Sequence, residues 1–180
     1  MGENKHELPQ SERLMYQLVR LEDAVALHKF RHEKTYRRWM GFTGPPPTLE
    51  DIIKVIKQDM ERDWSKFNIL KDSFGRGVYL KRTGEYIGNV HLCKFHGTEE
   101  LDHVEVGFDI GEAYQNKGYA TEAAKTAIEW AFARLRELDS ELIIQSHVEH
   151  GNIASRRVLE KAGAKFVRDE KYVGILEIRG

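Results

Sequence analysis

Hydrophobic and polar positions change period several times along the chain, and each change predicts a new element. Arg13–Leu21 alternates between the two kinds of residue, as in a half-buried strand. Asp23–Met40 is a helical stretch rich in charged and aromatic residues. After the stiff run 44–47 (Gly-Pro-Pro-Pro), Thr48 is a predicted N-cap, with Asp51 at the third helical position. A helix is predicted to follow, with apolar residues at helical spacing at Ile52, Val55, Ile56 and Met60.

The rest of the chain alternates between strand and helix patterns. The predicted elements are, in order, a hairpin of Val78–Lys81 and Tyr86–Lys94, a strand His103–Ile110, a long helix Lys117–Leu138 with an alanine-rich face, a strand Leu142–Val148, a helix Asn152–Ala162 that ends at Gly163, and two closing strands within Lys165–Arg179.

This order of elements predicts an α+β (mixed α/β) domain. We expect one mostly antiparallel sheet of about seven strands and about four helices, with one parallel pair where a helix connects the strands within His103–Val148. A chain of 180 residues fits a single domain. Residues 13–180 are predicted to form it, and residues 1–12 are expected to be loosely ordered.

Composition narrows the class of partner. The formal net charge is -1, which does not favour a nucleic acid or an anionic membrane as partner. The chain has one cysteine, Cys93, so an internal disulfide cannot form and a reducing cytoplasm is the expected location. The sequence has neither a signal-peptide pattern near its start nor an apolar run of about 18 residues. We therefore expect a cytoplasmic protein without a membrane span.

The segment from Gly107 to Ala120 has the features of a phosphate-binding turn. A strand ends there, a short polar turn follows, and a long helix begins, so the first helical amides have no partner within the helix. Gly118 and Ala120 would let the main chain approach a phosphate closely, and Lys117 adds a positive charge. The GxxxxGK[ST] and GxGxxG patterns are both absent from this segment.

Two motifs in this order resemble those of the GNAT superfamily of N-acetyltransferases. Gln115-x-x-Gly118-x-Ala120 is similar to the Q/R-x-x-G-x-G/A motif, and 152–163 is similar to the N-x-x-(A/S)-x-x-x-(Y/L)-x-K-x-G helix. Helix caps and close packing could explain each residue separately, but not the spacing of both motifs. Within the superfamily, residues 105–108 and 118–123 resemble the branch that acetylates the N-termini of ribosomal proteins.

The resemblance implies an acetyl-CoA-dependent transfer of an acetyl group to a primary amine, by direct attack when both substrates are bound. The pantetheine arm is expected in a gap beside the strand that ends at Ile110, near main-chain groups of Phe108 and Ile110. Asn152 would reach the same arm, and Arg157 and Lys161 would meet the CoA phosphates. The remaining residues expected to bind the cosubstrate are Gln115, Asn116, Lys117, Gly118, Tyr119, Ala120 and Thr121.

Two residues are predicted to act in catalysis by the same resemblance. Glu105 is the predicted base; in the alternative interpretation, Glu105 faces solvent or forms an ion pair. Ser155 is predicted to hydrogen-bond the thiol sulfur, with helix capping as its alternative. Leu159 lies where many members have a tyrosine, and neither Tyr114 nor Tyr119 obviously replaces it. A non-catalytic acyl-CoA sensor therefore stays open as a second interpretation.

The acceptor side is the least defined. Substrate-binding roles are predicted for Trp39, Asn89 and Glu105, with Tyr36, Phe42 and Trp64 as further aromatics near the two early helices. Packing in the core or in a lid is the expected role of most of these aromatics. Candidate acceptors are a peptide N-terminus, a polyamine and another small amine. The histidines form no HExxH pattern, so no metal is expected. A homodimer is compatible with the sequence, which specifies no interface.

Overall fold

The computed structural model describes residues 7–40, 44–94, 104–138 and 143–180. Seven strands form one sheet in the order β1-β2-β3-β4-β5-β7-β6. The strands are β1 Leu14–Gln17, β2 Phe74–Leu80, β3 Tyr86–Lys94, β4 Val104–Ile110, β5 Ile143–Glu149, β6 Lys165–Asp169 and β7 Val173–Arg179. The α-helices are α1 Ala24–Arg31, α2 Lys34–Trp39, α3 Leu49–Glu61, α4 Tyr119–Glu137 and α5 Ile153–Lys161.

Neighbouring strands of the sheet are antiparallel except for one pair. β4 and β5 are parallel and are connected through α4, which confirms the predicted strand-helix-strand unit. The predicted hairpin of β2 and β3 is also present, although β2 begins earlier than expected, at Phe74. Gly75 and Gly77 interrupt the apolar pattern there, because glycine carries no side chain that could mark a strand face.

Helix α4 packs on one face of the sheet through small side chains. Ala123, Ala124, Ala127 and Ala131 are fully buried, and so is Leu135. Alanine lets a helix lie close to the strands, so the predicted alanine-rich face is confirmed as the core face. α5 joins the same core through a single fully buried residue, Leu159.

Helices α1 and α3 form a smaller core on the other face. Leu27 and Phe30 of α1 and Ile52 and Ile56 of α3 are buried with two tyrosines of β2 and β3. The predicted capping box is confirmed: the Thr48 hydroxyl accepts the Asp51 N–H, and the Asp51 carboxylate accepts the Thr48 N–H. Of the predicted apolar face, Val55 and Met60 are exposed.

The expectation of one helix across Asp23–Met40 is wrong. A short 3₁₀ turn leads into α1, and the chain is extended at Glu33 before α2 begins. The Glu33 carboxylate accepts a hydrogen bond from the main-chain N–H of Glu112, 79 positions away, at 2.9 Å. A local pattern cannot reveal a break that is stabilised by so distant a partner.

Two predicted strands begin at residues that lie outside the described ranges, namely His103 and Leu142. Residues 1–6 also lie outside them, whereas Leu8, within the segment expected to be loosely ordered, is only 4% exposed and belongs to the core of α4. No helix in the described part of the chain is long and apolar enough to span a membrane.

Candidate active site

A cavity of about 450 Å³ lies where the end of β4 meets the starts of α4 and α5. It brings together the two sequence motifs and the early helices α1 and α2. The predicted residues that line it are Trp39, Phe108, Ile110, Gln115, Asn116, Gly118, Tyr119, Ala120, Thr121, Asn152, Ser155, Arg157 and Lys161. The fold therefore gathers on one surface residues that are more than 100 positions apart in the chain.

The two parallel strands separate near this cavity. Among the described residues, β4 and β5 pair only at Val104 with Ile144 and at Glu105 with Gln145, although the carboxyl ends of both strands are described. Just beyond, the buried Ser146 hydroxyl donates to the Val106 carbonyl at 2.7 Å. The far end of β4 thus reaches the cavity wall without β5 beside it.

The turn before α4 has an unusual backbone that two side chains support. Asn116 and Gly118 have φ of 60° and 81°, in the left-handed region that favours glycine. The Gln115 amide donates to the Ile110 carbonyl, and the Lys117 ammonium donates to the Ala113 carbonyl, both at 2.9 Å. Gln115 and Lys117 therefore hold the turn itself, and Lys117 is not among the residues that line the cavity.

A positive charge at this turn comes from a residue that sequence reasoning missed. Arg13, just before β1, donates from Nη1 to the Lys117 carbonyl at 2.9 Å, and its guanidinium lies 4.6 Å from the centre of the Tyr119 ring. Its Nε pairs with a Glu122 carboxylate oxygen at 2.7 Å. No sequence pattern could indicate this role, because more than 100 residues separate Arg13 from the turn.

The second motif forms the start of α5 largely as predicted. The Asn152 side-chain oxygen accepts the Ser155 N–H at 3.1 Å, so Asn152 caps the helix at the cavity wall. Arg157 and Lys161 are exposed on the same wall. Leu159 is 2% exposed and packs in the core, so this position does not present its side chain to the cavity.

Glu105, the predicted base, does not line the cavity. Its carboxylate accepts the main-chain N–H of His147 at 3.1 Å and lies 3.1 Å from Nδ1 of the same histidine ring. Both side chains are mostly buried, at 22% and 26% exposure. The sequence did not indicate this contact, because it joins two different strands across the sheet.

Asp109 is the carboxylate that does line the cavity, and sequence reasoning passed over it. Asn89, which was predicted on the acceptor side, donates to it from Nδ2 at 2.8 Å. Burial raises the pKa of the Asp109 carboxyl, and the nearby His91, Asn89 and Arg31 oppose that rise without cancelling it. The family motifs gave no reason to select Asp109, because it lies before both of them in the chain.

The aromatic residues expected on the acceptor side are divided by the fold. Trp39 and Tyr36 line the cavity, together with Phe30. Trp64 does not: it packs edge-on against Phe74 in the core, which is the packing role expected for most of these aromatics. Phe42 lies outside the described residues.

Two other reactive groups are held in ways that argue against catalytic roles. The Tyr114 hydroxyl donates to the Glu85 carboxylate, which together with burial raises the pKa of Tyr114 to about 12. Burial raises the pKa of the Cys93 thiol to about 11, so it is a poor nucleophile at neutral pH. Within the described residues, no three His, Cys, Asp or Glu side chains are grouped as they would be around a metal ion.

Comparison with known proteins agrees with this geometry. The family model of the acetyltransferase (GNAT) domain matches residues 13–165. The uncharacterized N-acetyltransferase p20 of Bacillus licheniformis is 28% identical over 153 residues, which are 83% of this chain and 77% of p20. The chain therefore belongs to the GNAT acetyltransferase family, a class of acyltransferases that use acetyl-CoA.

Solved structures show the same fold at low sequence identity. The ribosomal-protein-S5-alanine acetyltransferase of Vibrio fischeri superimposes with a TM-score of 0.70 at 19% identity, covering 95% of both chains. The spermidine N-acetyltransferase of Vibrio cholerae, solved with CoA and spermine, gives 0.66 at 15% identity, covering 92% of this chain and 93% of that chain. The expected resemblance to ribosomal-protein acetyltransferases is confirmed at the level of the fold.

Proposed function

We propose that this protein transfers the acetyl group of acetyl-CoA to a primary amine by direct attack, with both substrates bound in the cavity. One observation carries the proposal: the end of β4, separated from β5, shares a cavity with the starts of α4 and α5. That arrangement offers main-chain hydrogen-bonding groups, two helix starts and cationic side chains within a single site.

The residues present fit the chemistry of acetyl-CoA. The pyrophosphate would lie at the start of α4, where the first amides point out of the helix and Gly118 leaves the main chain accessible. Arg13 supports this turn from behind through the Lys117 carbonyl, and its charge is paired with Glu122. Arg157 and Lys161 are exposed on the cavity wall, where they would meet the 3′-phosphate.

The pantetheine arm would follow the gap beside β4, near Phe108 and Ile110, with Asn152 on its other side. Holding the thioester and the amine together can supply ~7–11 kcal/mol of the barrier reduction. A main-chain N–H near Phe108 would stabilise the charge that grows on the carbonyl oxygen, and such a donor is typically worth ~10²–10³ in rate. Ser155 is proposed to hydrogen-bond the departing sulfur, and the role of Glu105 as base stays a prediction.

The acceptor is proposed to be a primary amine, and three kinds remain candidates. One structural neighbour is named for an alanine of ribosomal protein S5 and another for spermidine. A peptide N-terminus, a polyamine and another small amine are therefore the acceptors to test. A homodimer also stays a prediction.

Two measurements together test this proposal. Calorimetric titration with acetyl-CoA should show saturable binding, and thiol release should be detected with at least one acceptor from a panel of peptides, polyamines and amino sugars. Binding without turnover on the whole panel would favour the acyl-CoA sensor. If the protein does not bind acetyl-CoA, the proposal is wrong.

A further inference from the structure

The same face of β4 carries two carboxylates, and only one of them reaches the cavity. Glu105 and Asp109 are four residues apart, which is roughly 13 Å along a strand at ~3.3 Å per residue. Gly107 lies between them, and a Cβ at that position would collide with the His91 ring. His91, on the neighbouring strand, therefore fills the space between the two carboxylates and separates Glu105 from the cavity.

Glu105 is also occupied by another partner, since its carboxylate contacts the main-chain N–H and the ring of His147. A base must reach the proton that it removes, directly or through one water. Asp109 meets that condition better, because it shares the cavity wall with Phe108, Tyr36 and Trp39.

The groups around Asp109 hold its carboxylate in place but do not fully offset the cost of burying its negative charge. Asn89 is its hydrogen-bond partner on β3. His91 on β3 and Arg31 on α1 are the nearby basic groups, and Tyr86 on β3 and Tyr36 on α2 are the nearby phenols. Burial outweighs the favourable neighbours, so a further cation would stabilise the ionised carboxylate.

We propose that Asp109 forms the subsite for the acceptor's ammonium group and takes a proton from it, with Asn89 orienting the carboxylate and Tyr36 and Trp39 forming the wall of the subsite. This inference rests on the proposed function and names the residue that binds the acceptor's ammonium group. An ionised carboxylate attracts the cation and then accepts its proton. A neutral alcohol of the same shape gains neither effect.

Atoms and charges balance as follows. One proton passes from the ammonium to the Asp109 carboxylate and leaves a neutral amine. The amine nitrogen forms a bond to the thioester carbonyl carbon, and the carbon–sulfur bond breaks. The second nitrogen-bound proton ends on the CoA sulfur, and Asp109 releases its proton to water. The products are the N-acetylated amine, CoA thiol and one proton.

The first test follows the carboxyl group itself. CoA-loaded protein labelled with ¹³C-carboxyl aspartate is titrated with acid, and the Asp109 resonance is identified by its loss in D109N. We expect n-butylamine to move the midpoint of this resonance to lower pH, because a bound cation favours the ionised form, and n-butanol to leave it in place. An unmoved midpoint at saturating n-butylamine would overturn the inference.

The second test is kinetic and uses the best acceptor found by thiol release. Relative to wild type, kcat/KM should fall ~10²–10⁴-fold in D109N, the usual range for loss of a general base. The acidic limb of its pH profile should disappear, and acetyl-CoA affinity should stay within twofold. E22Q removes an exposed carboxylate that pairs with Arg20 and does not line the cavity, and this control should stay within threefold of wild type.

Two other outcomes would distinguish this inference from the proposed function. If D109N keeps wild-type kcat/KM while E105Q loses it, the base is Glu105; this inference is then wrong and the proposed function stands. If wild type acetylates no amine but n-butylamine still moves the Asp109 midpoint, the ammonium subsite is supported and the proposed transfer fails.

Discussion

Replacing Gly118 by alanine tests the phosphate-binding turn most directly. Gly118 is the N-cap of α4 with a φ of 81°, a conformation that an L residue adopts only at a cost of ~1–2 kcal/mol. A Cβ there would lie 3.3 Å from the Arg13 Nη2 atom, and the end of that flexible side chain can move aside. The predicted loss of stability therefore comes from the left-handed backbone conformation alone.

The free energy of unfolding should fall by ~1–2 kcal/mol, which in a domain of this size lowers the melting temperature by ~2–8 °C. The effect on ligand binding should be separate and larger. The strained turn should move the first amides of α4 out of position for the expected pyrophosphate, and loss of one hydrogen bond to a charged group costs ~1.5–3 kcal/mol. Acetyl-CoA affinity should therefore fall at least tenfold, since tenfold corresponds to ~1.4 kcal/mol.

Gly84→Ala is the matched control. Gly84 has a φ of 70°, and nothing lies within 4 Å of a Cβ placed there. It lies in the hairpin turn between β2 and β3, and it does not line the cavity. Both variants should lose similar stability in thermal and urea unfolding, whereas calorimetry should show weakened binding of acetyl-CoA and dephospho-CoA only in G118A.

The reasoning would be refuted if G118A bound both ligands as tightly as wild type. It would also fail if G84A weakened binding to the same degree, because strain rather than the phosphate site would then explain the loss.

Three further predictions concern single side chains. Glu122→Gln should lower the free energy of unfolding at pH 7 by ~1–2 kcal/mol in urea titrations, since the carboxylate accepts charge-assisted bonds from Arg13 and Ser11. Burial alone would raise the pKa of Glu122, but these bonds outweigh burial and lower the pKa. The stabilisation is therefore fully present above the unfolded pKa of ~4.3, and it should disappear as pH falls through the lower folded pKa. A difference between variant and wild type that persisted well below that pH would contradict the assignment. Lys161→Ala should weaken CoA binding several-fold and leave dephospho-CoA unaffected in the same calorimeter, and equal losses for both ligands would place Lys161 away from the 3′-phosphate. Asn152→Ala should cost ~1 kcal/mol of stability through the lost cap and also weaken CoA binding, whereas a stability loss alone would limit Asn152 to capping.

Local sequence patterns determined most of the elements of the fold. The alanine face of α4, the capping box of α3 and the N-cap and C-terminal glycine of α5 all result from interactions within a few residues, so periodicity and capping rules find them. The parallel pair of β4 and β5 also followed from the order of elements, because a helix between two strands imposes it. The two motifs similarly predicted most of the residues that line the cavity.

Only the tertiary structure decided which charged groups meet. The break before α2 depends on Glu33 and Glu112, and the support beneath the phosphate turn comes from Arg13 and its ion pair with Glu122. The choice between Glu105 and Asp109 likewise depends on where the His91 ring packs on the neighbouring strand. Each of these contacts joins residues that are distant in sequence or lie on different strands. Their electrostatic effects act through space, and a reading of local sequence has no access to them.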